Sequence, residues 1–97
     1  MNVVWSETAA LNLEEIRNHL FRVDPDYDQA VVERIVSRAD DLVSCPFIGA
    51  EVPEYDDDRI REIFESPYRI LYRVIESEIR VMAVIRASRP LPRMPPD

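Results

Sequence analysis

The chain contains no lysine: all twelve of its basic residues are arginine. That removes the amine most often used in acid–base chemistry, because a guanidinium holds its proton to above about pH 12. A single histidine, His19, leaves one imidazole for proton transfer. A single cysteine, Cys45, excludes an intramolecular disulfide. With no base or cation beside it, Cys45 is expected to be a small buried or half-buried thiol. Apolar runs are short, far below the roughly 20 residues a membrane helix needs. The opening Met1-Asn-Val-Val-Trp-Ser-Glu7 has neither a basic n-region nor an apolar h-region, which predicts no secretory signal and a cytoplasmic protein. The acidic run Glu54-Tyr-Asp-Asp-Asp58 lacks the spacing and the glycine of a calcium loop, and no His or Cys accompanies it. It reads as a solvated loop. No metal or cofactor is expected.

What the chain does have is one domain's worth of apolar residues, 46% of 97, enough for a single core. Its charge is unevenly placed. Residues 1–58 carry four arginines against fourteen acids, and residues 59–97 carry eight against five. The net charge of −7 disfavours long-range attraction of nucleic acid by the whole molecule; only the C-terminal patch is suited to it.

Asn2-Val-Val-Trp5 is a short apolar run, and Ser6 with Glu7 behind it makes a helix N-terminus. Ala9, Leu13, Ile16 and Leu20 then recur at helical spacing. Asp24-Pro25 opens a second helix, with Tyr27, Val31, Ile35 and Leu42 on one stripe. So short a connection makes the pair an antiparallel helical hairpin. Cys45-Pro46-Phe47-Ile48-Gly49 closes the helical region, with the only glycine at a turn. Three strands follow, over residues 59–64, 67–75 and 79–86, the last two a β-hairpin. The prediction is an α+β domain, β-α-α-β-β-β, with the helical hairpin on one face of a mostly antiparallel four-stranded sheet. The domain spans residues 1–89, and the proline-rich residues 90–97 form an extended tail.

The β-hairpin carries arginines at 69, 73, 80 and 86. Strand alternation sets Arg69, Leu71 and Arg73 against Tyr68, Ile70, Tyr72 and Val74. It likewise sets Arg80, Met82, Val84 and Arg86 against Ile79, Val81, Ala83 and Ile85. The apolar sets are expected to face the helices and the arginines to face outward. Arg69, Arg73, Arg80 and Arg86 are thus candidate binding residues, since guanidinium forks match phosphates and carboxylates. The plainer reading is a solvated face paired with acids such as Glu62, Glu76 and Glu78. Arg89 has the opposite parity to Arg86 and shares its surface only if the strand ends or bulges first.

Taken together, these stretches resemble the RelE/ParE superfamily of toxins from bacterial type II toxin–antitoxin modules. The resemblance rests on Val4-Trp5-Ser6 with Ala9 or Ala10, Leu13-Glu-Glu-Ile16, Pro46-Phe47-Ile48-Gly49 and Pro67-Tyr-Arg-Ile-Leu-Tyr-Arg-Val74, with Arg89 after the last strand. It covers roughly residues 2–89. It implies a small toxin neutralised by a cognate antitoxin, acting either as a DNA gyrase poison (ParE-like) or as a ribosome-dependent mRNA endonuclease (RelE-like). In the nuclease reading Arg69 and Arg89 are the catalytic candidates, clamping the scissile phosphate. RNA cleavage also needs a base and an acid. The lysines and the C-terminal tyrosine or histidine of RelE-like enzymes are missing here, and His19 lies on the first helix. A toxin acting by protein contact is therefore favoured; a degenerate, non-toxic antitoxin-binding module is a third reading.

Overall fold

The computed structural model describes residues 1–97, apart from the side chains of Pro25 and Asp28. Strand β1 (Asn2–Trp5) leads into helices α1 (Glu7–Phe21) and α2 (Pro25–Asp41). Strands β2 (Ala50–Glu51), β3 (Ile60–Glu65), β4 (Tyr68–Ile75) and β5 (Glu78–Arg86) follow. One sheet results, in the order β1-β5-β4-β3-β2. β1 lies parallel to β5 and every other neighbour is antiparallel. The α+β class, the helical hairpin and the mostly antiparallel sheet agree with the sequence reading. The sheet has five strands, not four, because the two-residue β2 pairs with Arg61 and Glu62 of β3.

Ser6 does two jobs at the start of α1. Its Oγ accepts from the Ala9 N–H (3.1 Å), capping the helix, and donates to the Met82 carbonyl of β5 (3.2 Å). At α2 the Asp24 carboxylate accepts from the N–H groups of Asp26 and Tyr27. The helices press Ala9, Leu20, Val31, Ile35, Ala39 and Leu42 onto the sheet, where Ile63, Tyr68, Ile70, Tyr72, Val74, Ile79, Val81 and Val84 meet them. Each fully buried large apolar side chain contributes about 1.5–3 kcal/mol. Tyr27 leaves the expected stripe and is exposed, as are Phe21 and Val23.

A second, smaller core lies on the other side of the sheet. Val52 and Tyr55, from the segment after β2, pack there on Ile60, Leu71, Met82 and Ala83, with Ile85 and Leu91 alongside. The Tyr55 hydroxyl donates to the Pro92 carbonyl (2.9 Å), holding residues after Arg89 against this face. Burial raises the pKa of that hydroxyl above the ordinary tyrosine value.

Two local features decide where the functional side chains point. The first is a bulge in β5. Leu71 pairs with Ala83 but Tyr72 pairs with Val81, so β5 holds one residue more than β4 at this point. Met82 and Ala83 both face the smaller core, and alternation inverts beyond them. Val84 turns to the helices, Ile85 turns away, and Arg86 sits beside Tyr68 on the helix side. The expected faces for Ala83, Val84, Ile85 and Arg86 are thereby reversed. The second feature is Gly49. A Cβ there would lie 2.6 Å from Tyr72 Oη and 2.7 Å from the Glu62 carbonyl. Only glycine lets the backbone approach so closely, and the approach is fixed by hydrogen bonds. Tyr72 Oη accepts from the Gly49 N–H (3.0 Å) and donates to the Pro46 carbonyl (2.7 Å). This seats the chain for β2.

Candidate functional site

Arg69 leaves β4 on the side of the smaller core and is 7% exposed. Strand β3 sets Glu62 next to it, and the segment after β2 brings Glu54 over both. One guanidinium nitrogen of Arg69 donates to the Glu62 carboxylate, itself 8% exposed, and the guanidinium also contacts Glu54 at 3.2 and 3.4 Å. The bond to Arg69 holds the Glu54 carboxyl below the usual glutamate range. Burial pulls Arg69 toward losing its proton, but the two carboxylates outweigh it and leave its pKa raised. A guanidinium so engaged is an internal clamp. Glu62 belongs to the acids expected to pair with this face; Glu54 was not foreseen, since a loop acid carries no periodicity that would place it.

The other arginines divide. Arg73 and Arg80 face the same side as Arg69 and lie directly opposite one another across β4 and β5. Arg80 is paired to Glu78 (2.9 Å), while the buried Arg73 Nε makes no hydrogen bond within the protein. Arg86 is on the opposite side of the sheet, its guanidinium 5.9 Å from the centre of the Tyr68 ring. β5 stops at Arg86, and a turn in which the Arg89 N–H donates to the Arg86 carbonyl (3.0 Å) carries Arg89 to the same surface. The structure therefore brings Arg86 and Arg89 together, keeps Arg69 with Arg73 and Arg80, and separates the two groups by the thickness of the sheet.

Arg86 and Arg89 line a cavity of about 470 Å³ between α1 and the end of the β4–β5 hairpin. Asn12, Glu15, Ile16 and His19 of α1 form its other wall, over Tyr68, Val84 and Ile85. Asn12 was not singled out in the sequence, yet its Oδ1 accepts from the Val84 N–H (3.1 Å), which lies beyond the end of the β1–β5 pairing. A second groove of similar size runs along Trp5, Ala10, Leu13, Glu14, Arg17, Asn18 and Val36. It borders β1, the strand at one edge of the sheet. Cys45 is exposed, against expectation, because the chain turns after α2 at the surface. Among the described residues, no three His, Cys, Asp or Glu side chains converge as a metal would require. No helix among the described residues is long and apolar enough to cross a membrane.

Comparison with known proteins agrees with this fold. The chain is similar to a solved chain of the chromosomal ParDE TA system from P. aeruginosa, at 26% identity and a TM-score of 0.75, over 89% of this chain and 95% of that one. No curated protein matches it significantly. The model of the ParE toxin of the type II toxin–antitoxin system parDE matches residues 3–91, and the chain belongs to that toxin family.

Proposed function

We propose that the chain is a cytoplasmic toxin that a cognate antitoxin neutralises, and that it acts by protein contact on DNA gyrase instead of cutting mRNA. The observation that carries this reading is the engagement of Arg69. With Glu54 and Glu62 on its guanidinium and 7% of its surface exposed, it is not available to a scissile phosphate. Arg89, the other phosphate-clamp candidate, lines a cavity on the far side of the sheet. Glu15 and His19 line the cavity with Arg89 but lie across the sheet from Arg69, so the two phosphate-clamp candidates do not converge on one base–acid pair.

The antitoxin is taken up in the groove beside α1, where Trp5, Leu13 and Val36 offer an apolar floor and Glu14 and Arg17 a charged rim. An amphipathic helix suits such a groove, and an extended segment suits the neighbouring edge of β1. A partner of this kind folds as it binds.

Inducing the chain in a heterologous host, with and without the protein encoded beside it, tests the reading. The expected result is a DNA-damage response and growth arrest without early mRNA cleavage, both relieved by the partner. Translation arrest with cuts in the ribosomal A site would sink it in favour of the nuclease. Tight partner binding with no growth defect would instead identify a degenerate module.

A further inference from the structure

We infer that the cavity between α1 and the end of β5 is a receptor for a carboxylate side chain on an acidic segment of the antitoxin, gripped by Arg86 and Arg89. The inference rests on the partner reading above and adds to it a second contact, distinct from the α1 groove.

The first ground is the pairing of the arginines. Arg34, Arg38, Arg59, Arg61, Arg69 and Arg80 each have a carboxylate oxygen within 4 Å. Among the described residues, Arg17, Arg22, Arg73, Arg86, Arg89 and Arg93 have none; of these six, Arg86 and Arg89 share one cavity, which Glu15 also lines. In a chain with a net charge of −7, two neighbouring guanidiniums left without acids are available to a partner.

The second ground is preorganisation. The Ala87 N–H donates to the Pro67 carbonyl (2.8 Å) and the Arg89 N–H to the Arg86 carbonyl (3.0 Å), so the turn that presents both arginines is fixed. The Arg86 guanidinium lies against the Tyr68 ring, which restrains its long side chain before any ligand arrives. Asn12 spends its Oδ1 on the Val84 N–H, leaving the amide nitrogen of that side chain as a further donor.

The third ground is selectivity. Ile16, Tyr68 and Val84 line the cavity with apolar surface suited to a methylene stem, and about 470 Å³ holds a side chain with its neighbour. Two arginines against Glu15 give the cavity a small positive charge inside an acidic molecule. That suits one carboxylate, bound bidentately by a planar fork. A nucleic-acid backbone brings a row of phosphates and would meet the repulsion of the remaining surface.

Isothermal titration of the antitoxin encoded beside the gene tests this, using the full chain and the Arg86→Gln/Arg89→Gln variant. Both side chains are exposed, so the variant keeps the wild-type thermal melt. The expected result is binding about 10–100-fold weaker, a smaller salt dependence than wild type, and a partial return of affinity in Arg86→Lys/Arg89→Lys. Equal affinity for Arg86→Gln/Arg89→Gln and wild type would overturn the inference. If Ala10→Glu in the α1 groove abolished binding at the same time, the partner reading would stand while the cavity fell. No binding by the wild-type chain would sink both. A variant that kept its antitoxin affinity but lost retention of a 20-nucleotide RNA would make the cavity a nucleic-acid site, and that too would overturn the inference.

Discussion

Replacing Arg69 with methionine removes the cation between two carboxylates and leaves Glu62 behind. Glu62 is 8% exposed, so its charge then sits in a poorly solvated site with no partner. Breaking a buried pair from one side costs about 3–5 kcal/mol. Against a total of about 5–15 kcal/mol for a domain, that is a large share. The melting temperature of a chain this size should fall by on the order of 20 °C. Replacing both partners, in Arg69→Met/Glu62→Leu, removes the stranded charge and should return stability to within about 1 kcal/mol of wild type. Glu54 needs no replacement, because its side chain is 43% exposed and water can receive it. Urea unfolding followed by the fluorescence of Trp5, the only tryptophan, measures both variants. A loss below about 1 kcal/mol in Arg69→Met, or equal losses in the single and double variants, would refute the reasoning. The pair also separates folding from toxicity. Loss of toxicity in Arg69→Ala is ambiguous, because the variant is expected to be unstable. A folded double variant that stays toxic confirms a structural role for Arg69.

Gly49→Ala drives a methyl group into Tyr72 Oη and the Glu62 carbonyl and should cost about 1–3 kcal/mol in the same unfolding assay. Adding Tyr72→Phe should not restore the loss, since the backbone contact at 2.7 Å remains. Asn12→Ala strips the Val84 N–H of its acceptor and should cost about 1–3 kcal/mol, with faster hydrogen exchange at that amide as the local signature. The pKa of Glu54 is lowered in the fold chiefly by its hydrogen bond to Arg69. Its contribution is therefore complete above the unfolded glutamate value of about 4.3 and is lost as pH falls through the lower folded value. Glu54→Gln should flatten the acid limb of a pH–stability curve in that window and leave the curve above about pH 6 unchanged in shape.

Much of this fold was legible because periodicity is a direct image of burial. Ala9, Leu13, Ile16 and Leu20 mark the inner side of α1, and the alternation from Tyr68 to Val74 marks the inner side of β4. What periodicity cannot reveal is a change of phase. The bulge at Met82 and Ala83 carries no glycine, and the surrounding run is apolar on both faces because both faces bear a core. Arg86 was accordingly assigned to the wrong side. β2 was invisible for another reason: two residues make no pattern, and its place depends on the close approach at Gly49. The partnership of Arg69 with Glu54 depends on a loop folding back over the sheet, which no local signal encodes. The arginine-rich hairpin was easy to find; which of its arginines were already engaged was not.

A supercoiling assay with purified gyrase and the purified chain, run beside a cell-free translation reaction probed for cleaved mRNA, tests the central claim most directly. Gyrase inhibition at toxin concentrations that leave translated mRNA intact is the predicted result. Cleavage of ribosome-bound mRNA with full gyrase activity would contradict it.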